Sequence, residues 1–492
     1  MNTNQTTSLT THAVLTAMVV PCLFASATVS AQTYPPTRNS LTTVDEVWMS
    51  RPDYKETKTE PTYQTQITRI ADQAAFDDNS QILAHAYAKN QPWNSDGTRI
   101  WLNTFPGTIV DAQTYNKIKT LSIPHKEFYT WSNTDPDLVY TIQKPDKLVK
   151  VNVNTGDIIT IKTFTQFERV SYGNWQGQMS NDDAYIALQS KKGDATTVFV
   201  YNLVGDSVES SYDGRGIFPK NCAMSQSGNY VIVMWAVDET MGERKGITVH
   251  RRSDMAYLRS IYHRQKHADF GCDSNGNDVI VFEKGGKLVM IRLSNGEETD
   301  LLPGITGISN YHISCRNIDW PGWAFFSYFI AANNVPTSHE TYKEIFAVKL
   351  DGSGRVKRYS HSFNHETRIS GERDPFACPN RDGTKVMFRS DWGDGAGDAP
   401  IYSYVAQAAD NVTSANSRSL RSTRAVRYSV NPTNSFGIIN LIAPATTREN
   451  ASVTIVSSNG RIVRYPAAGR DGTRNISGLA NGSYYLWLGV GP

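Results

Sequence analysis

The sequence predicts an all-β protein, a seven-bladed β-propeller followed by a small C-terminal β-sandwich. The first observation behind this expectation is a repeat. Seven segments join a polar turn to a short apolar strand: WNSDGTRIWL from residue 93, WSNTDPDLVYTI from 131, MSNDDAYIAL from 179, MSQSGNYVIV from 224, CDSNGNDVIV from 272, IDWPGWAFFS from 318 and PNRDGTKVMF from 379. Aligned on the turn, Gly97, Pro136, Asp183, Gly228, Gly276, Gly322 and Gly383 follow at steps of 39, 47, 45, 48, 46 and 61 residues. The second observation is a further apolar strand in several repeats. KLVKVNVNTGD, TTVFVYNLVGD, KLVMIRLSNGE and EIFAVKLDGSG each close on a turn in which Gly or Asn supplies positive φ cheaply. The third is composition: 24 Tyr, 10 Trp and 35 Gly accompany little helix-period sequence. A period of about 45 residues with roughly four strands is that of a propeller blade.

Taken in chain order, residues 1–31 read as an export signal. An apolar run from Ala13 to Ala27 precedes VSA, which puts Val29 and Ala31 at the small-residue positions a signal peptidase needs. The run is shorter than the roughly 20 residues of a membrane span. Residues 32–79 form an N-terminal extension and 80–405 hold the blades. These blades resemble those of TolB-type propellers, which carry a Ser-Pro-Asp-Gly-like turn before the second strand. Gly97 and Gly383 sit in Asp-Gly pairs of that kind. Residues 406–430, rich in Ser, Ala, Asn and Arg and without periodicity, read as a linker. Residues 431–492 read as the small sandwich. Their NPTNSFGIINL, VTIVSSNGRIV and ISGLANGSYYLWL resemble, in order, the strands of type IX secretion sorting domains. That resemblance implies export through the type IX machinery to the cell surface or beyond, whereas a carbohydrate-binding or spacer module is the other reading.

The charge balance is even, with 49 basic and 47 acidic residues for a net +2. It gives no reason to expect a nucleic-acid partner, but leaves room for a local basic groove that holds an acidic polymer. Past the signal, Cys222, Cys272, Cys315 and Cys378 lack C-x-x-C spacing, so a zinc knuckle is not indicated. Two disulfides are possible in an oxidising compartment, with the pairing open. There is no G-x-S-x-G elbow, no H-E-x-x-H helix and no phosphate loop.

The innermost strand of a blade precedes its polar turn, so residues nine to twelve before the aligned position face the axial channel or its mouth. His85, His125, His267, His312 and Asp374 fall there. In HADFGCDSNGNDVIV, from residue 267, Asp273 and Asp278 read as turn chemistry. His267 and Asp269 are two apart on an inner strand and share a face. With His312 on the next blade they form a candidate site for one structural divalent metal, zinc by ligand type, or equally a hydrogen-bonded network closing the ring. A second group, His85, Tyr87, Lys89, His125 and Tyr129, belongs to the mouth between the first two blades, joined by Arg316 and Arg373. Arginine pairs with a uronate carboxylate, and a neutral His or Tyr can take the C5 proton. Trp93, Trp131, Trp175, Trp320 and Trp323 are candidates for stacking on sugars or for packing between blades.

An exported seven-bladed propeller with channel-mouth histidines, tyrosines and arginines resembles the propeller polysaccharide lyases, especially those that cleave ulvan. The resemblance implies a His/Tyr pair for proton transfer, an arginine at the carboxylate and a structural zinc. It nominates His85, His125, Tyr129 and Arg316 as catalytic, Tyr87, Lys89 and Arg373 as substrate-binding, and His267, Asp269 and His312 as metal ligands. The related oligogalacturonate lyases bind manganese through closely spaced histidines, a pattern that HSFNHE (His361, His365) meets only loosely. The expected protein is a monomeric secreted lyase acting on an acidic, uronate-containing polysaccharide by β-elimination. A non-catalytic propeller that binds glycans or cell-envelope proteins is the competing expectation.

Overall fold

The computed structural model describes residues 35–408, apart from 105, 125–128, 174–177, 237–241, 265, 309–310, 329–340, 342, 365–373 and 394–398, together with the backbone of five strands between 438 and 490. The export signal expected over 1–31 lies outside the described residues.

The fold is an all-β seven-bladed propeller with almost no helix. Blade 1 has strands Arg99–Leu102, Gly107–Asp111 and Lys117–Leu121, and its innermost position is taken by an irregular segment bridging Trp93 to Ile100. Blades 2 to 6 are four-stranded antiparallel sheets whose innermost strands are Tyr129–Trp131, Arg169–Ser171, Pro219–Met224, Ala268–Cys272 and Tyr311–Ser314. Blade 7 starts with Cys378–Pro379. Each of the seven aligned turns lies between the first and second strand of its blade, where the repeat placed it.

The second strands carry continuous apolar runs because neighbouring blades cover both faces. Val231, Ile232, Val233, Met234 and Trp235 are all buried, as are Val279, Ile280, Val281 and Phe282. The outer strand Ile158–Thr163 is half exposed, as the rim of a blade should be. Hairpins follow turn chemistry. Gly285 and Gly286, at φ +59° and +78°, form the two-residue connection between Asp278–Lys284 and Lys287–Arg292, a geometry that side chains resist.

Blades are tied to one another through their turns. The Asp183 carboxylate of blade 3 accepts hydrogen bonds from the Asn133 and Thr134 backbone amides and from the hydroxyls of Ser132 and Thr134, all in blade 2. Asp278 of blade 5 accepts from the Ser227 amide of blade 4 at 3.1 Å, and from its hydroxyl. Asp273 caps its own turn, accepting from the Asn275 and Asn277 amides. Asp273 therefore does the turn work the sequence assigned it, whereas Asp278 holds the turn of the neighbouring blade.

The ring closes with strands from both ends of the described propeller. Ile401–Gln407, the third strand of blade 7, pairs antiparallel with Gln66–Arg69, and Thr57–Thr59 adds to its outer side. The region 32–79, expected as an N-terminal extension, thus contributes two strands to the last blade. Pairing the two ends makes opening the ring cost a full strand ladder instead of a few side-chain contacts. The segment ahead of these strands is also anchored. Arg358 donates to the Ser40 and Thr42 carbonyls, and Trp392 Nε1 donates to the Met49 carbonyl.

The linker expected over 406–430 begins within this closing strand, at its last two residues, and from 409 lies outside the described residues. The second unit, Val412–Pro492, contains a three-stranded sheet centred on Ala451–Ser457 and a two-stranded sheet of Ile438–Asn440 with Thr473–Asn475.

Candidate functional site

The inner strands bring polar side chains from six of the seven blades to the axis, in two tiers. Counting back from the aligned turn separates them. Tyr87, His267, His312 and Asp374 lie nine or ten residues before Gly97, Gly276, Gly322 and Gly383, whereas Lys89, Asp269 and Arg316 lie six to eight before the same marks. Two residues of extended chain span about 7 Å, so the second group sits one layer deeper. Of these seven residues His267 alone is open to solvent; Tyr87, His312 and Asp374 are buried, as are Lys89, Asp269 and Arg316.

The deep tier is a polar floor. Arg316 clamps the Asp269 carboxylate with two prongs, Nε to Oδ2 at 3.2 Å and Nη2 to Oδ1 at 3.2 Å. It also donates to the Gln178 side-chain oxygen and the Phe270 carbonyl, each at 2.8 Å. Asp269 accepts in addition from the Cys315 amide at 2.7 Å. Gln178 donates to the Lys89 carbonyl, and Gln226 donates to the carbonyls of Phe270 and Cys315. Gln91 reaches the carbonyls of Arg316 and Pro379. Blades 1, 3, 4, 5, 6 and 7 are thus linked across the axis. Burial draws the Lys89 ammonium down to about 8, with Asp269 opposing and Arg316 reinforcing the shift.

The upper tier is a hydrogen-bonded cluster around one phenol. The Tyr87 hydroxyl lies 2.8 Å from His267 Nδ1 and 3.2 Å from His312 Nδ1. His312 Nε2 lies 3.3 Å from Asp374 Oδ2. Phe376 walls the cluster, its ring centroid 4.7 Å from that of Tyr87 and 4.4 Å from that of His312. Arg389 lies over the Phe376 ring, 3.8 Å from its centroid, and its Nε donates to the Asp374 carbonyl. Burial, with the charges of Arg389 and Lys89, holds His312 far below the usual imidazole value. Burial, His312, Lys89 and Lys266 likewise lower His267. The Tyr87 phenol is pushed up by burial and then by Asp374 and Asp269. Both imidazoles are therefore neutral near pH 7 and the phenol keeps its proton.

Several sequence expectations need correction. His85 is buried with both ring nitrogens engaged, Nε2 at the Phe376 carbonyl (2.7 Å) and Nδ1 at the Ser403 hydroxyl (3.0 Å). It is a tie between blades 1 and 7, not a proton-transfer group. Tyr129, also nominated as catalytic, is buried against Trp101 at 5.1 Å between centroids. Arg316 gives four of its five N–H groups to the floor, with Asp269 as its carboxylate partner. Lys89 belongs to the floor as well, and Tyr87 is the hub of the upper tier. His125 and Arg373 lie outside the described residues.

The metal trio does not fit. Both Asp269 oxygens are committed to Arg316 and the Cys315 amide, on the deeper tier from His267 and His312. Among the described residues no group of three or more His, Cys, Asp or Glu is placed to hold a metal ion. Cys222, Cys272, Cys315 and Cys378 are free thiols, and burial pushes Cys272 and Cys378 up to about 12.

The tryptophans pack. Trp320 is stacked on Trp323 at 5.0 Å, and its other face meets Gly383, where a Cβ would fall 2.2 Å from the ring. Trp131 donates to the Pro92 carbonyl and crosses Trp101 edge-on, and Trp93 is buried. Trp175 lies outside the described residues.

Sequence reasoning missed Gln178, Gln226 and Arg389. Gln226 lies inside a turn motif, and nothing in its spacing sets it apart. Arg389 comes from a second strand, which the inner-strand register does not sample.

No protein-family profile matches the sequence, and no curated protein matches it. Solved structures do. An oligogalacturonate lyase in complex with manganese superposes with a TM-score of 0.53 at 11% identity, covering 73% of this chain and 96% of that one. An oligogalacturonate lyase from Vibrio parahaemolyticus gives 0.52 at 12% identity, covering 72% and 96%. At these identities the likeness establishes the fold.

Proposed function

We propose that the protein is a polysaccharide lyase that cleaves a uronate-containing polymer by β-elimination at the upper tier of the channel. The observation that carries this reading is the Tyr87 hydroxyl held between His267 and His312, with His267 open to solvent. His267 is neutral and open to solvent, so its imidazole is placed to accept the C5 proton of a uronate. The C5–H electrons form the C4–C5 double bond, the C4–O4 bond breaks, and the leaving oxygen takes a proton from water in the mouth. Lys89 and Arg389 supply positive charge near the site, Lys89 lowering both imidazoles and Arg389 lowering His312. That field favours an anionic sugar and the negative charge that develops at its carboxylate. The fold shared with two oligogalacturonate lyases supports the reaction class.

Within that class, an ulvan-like polymer is the substrate drawn from the sequence resemblance, and a galacturonate chain is the one the structural neighbours name. The manganese of one neighbour favours a divalent ion here too, yet the described residues give it no three-ligand set, and no step above depends on it. Export by the 1–31 signal, and sorting by a sandwich over 431–492 through the type IX machinery, complete the proposal and rest on the motifs quoted for them.

The test is to incubate purified protein with a panel of uronate polymers, ulvan and pectin included, and follow the ultraviolet absorbance of the unsaturated uronate product. A rise on one polymer supports the lyase and names its substrate. Binding without any rise would replace it with a glycan-binding propeller.

A further inference from the structure

The two-tier channel contains a chain of four groups whose hydrogen-bond polarity follows from their chemistry. In its charged form, the form that raises the Tyr87 phenol, buried Asp374 can only accept. Neutral His312 has one N–H, and a lone pair facing a carboxylate is repulsive, so that hydrogen sits on Nε2 and points at Asp374 Oδ2. His312 Nδ1 is then an acceptor, and the Tyr87 O–H donates to it. With its single hydrogen spent, the Tyr87 oxygen accepts from His267 Nδ1–H at 2.8 Å. Neutral His267 therefore carries its lone pair on Nε2.

We infer that Asp374, His312, Tyr87 and His267 form a directional relay in which buried Asp374 sets the tautomer of exposed His267 two links away, leaving Nε2 as the proton acceptor. The inference rests on the lyase reading for its use, since the accepted proton is the uronate C5 proton. When Nε2 takes that proton, the charge stays on solvent-exposed His267, whose Nδ1 hydrogen remains directed at the Tyr87 oxygen, while buried His312 stays neutral and holds the Tyr87 hydrogen in place. Asp374 and His312 are positioning residues, and neither touches the substrate.

The experiment is nitrogen NMR of imidazole tautomers in the full chain with 15N-labelled histidine, each signal assigned by a single His→Gln variant. His267 should read as the Nδ1–H tautomer and His312 as Nε2–H. Asp374→Asn presents an amide N–H to His312 Nε2, which moves the His312 hydrogen to Nδ1, reverses the Tyr87 hydroxyl and leaves His267 as Nε2–H. On a polymer that the protein cleaves, kcat should fall by about 10²-fold or more with KM unchanged. Tyr87→Phe cuts the chain: His312 should stay Nε2–H while His267 loses its preference, and this arm remains readable if Asp374→Asn fails to fold. Opposite tautomers in the unmodified protein, or a His267 tautomer indifferent to both substitutions, would overturn the relay. Tautomers as stated in a protein inactive on every uronate polymer would support the relay and remove the lyase, so the two failures are distinct.

Discussion

Replacing Arg316 by Met tests whether this arginine holds the floor or the substrate. The substitution keeps an unbranched apolar stem of similar reach and removes four donated hydrogen bonds: two to Asp269, one to Gln178 and one to the Phe270 carbonyl. Asp269 is fully buried and keeps, among the described residues, the Cys315 amide as its donor. Stranding one member of a buried ion pair costs about 3–5 kcal/mol, most of it the desolvation of the remaining charge. Losing the neutral bonds to Gln178 and Phe270 costs about 1 kcal/mol each at most where water can replace the donor. The expected loss is therefore about 4 kcal/mol, read from the urea midpoint followed by tryptophan fluorescence. Pairing the change with Asp269→Leu removes the stranded charge, and the double variant should recover most of the loss, a coupling that a double-mutant cycle measures directly. A single variant with unchanged stability and a raised KM for a uronate polymer would refute this reasoning and return Arg316 to the substrate.

Three further outcomes follow from the same contacts. His85 is lowered by burial to about 3 from 6.5, so the unfolded chain binds a proton below pH 6.5 that the folded chain refuses. Its stabilisation is complete above that pH and is lost on acidification, at about 1.4 kcal/mol per pH unit towards pH 3; His85→Gln should flatten the acid limb of a stability–pH curve. Removing residues 1–69 strips Gln66–Arg69 from Ile401–Gln407, and limited proteolysis should then cut within blade 7 while the full chain resists. Lys89→Met removes a cation that depresses both upper imidazoles. The His267 titration should move to higher pH in NMR, and the acid limb of any lyase activity should move with it.

Much of the blade plan was legible because turns are local. The polar residue and Gly that end an inner strand act through backbone φ, and all seven markers fell where the repeat put them. Ring closure was not legible. Gln66–Arg69 is a four-residue strand whose partner lies more than three hundred residues away, and its short sequence carries no periodic signal. In the site, the register that grouped His267, His312 and Asp374 was sound because equal distance from equivalent turns means equal height. Arg316 and Lys89, six and eight residues before their turns, lay outside that register and were assigned to the mouth beside it, but two or more residues along the strand move a side chain from mouth to floor. There an arginine meets a buried aspartate before it can meet a substrate. The register itself failed for His85, because it gives height, not which way the ring turns, and Ser403 and the Phe376 carbonyl capture both nitrogens.

The most direct test of the central claim is to compare the protein with its His267→Gln variant on the uronate polymer that yields unsaturated product. His267 is exposed, and glutamine can keep a polar contact with Tyr87, so the variant should fold with an unchanged urea midpoint. The account predicts that product formation falls by about 10²-fold or more while the polymer still binds. Full activity in the folded variant would place the chemistry elsewhere and contradict the account.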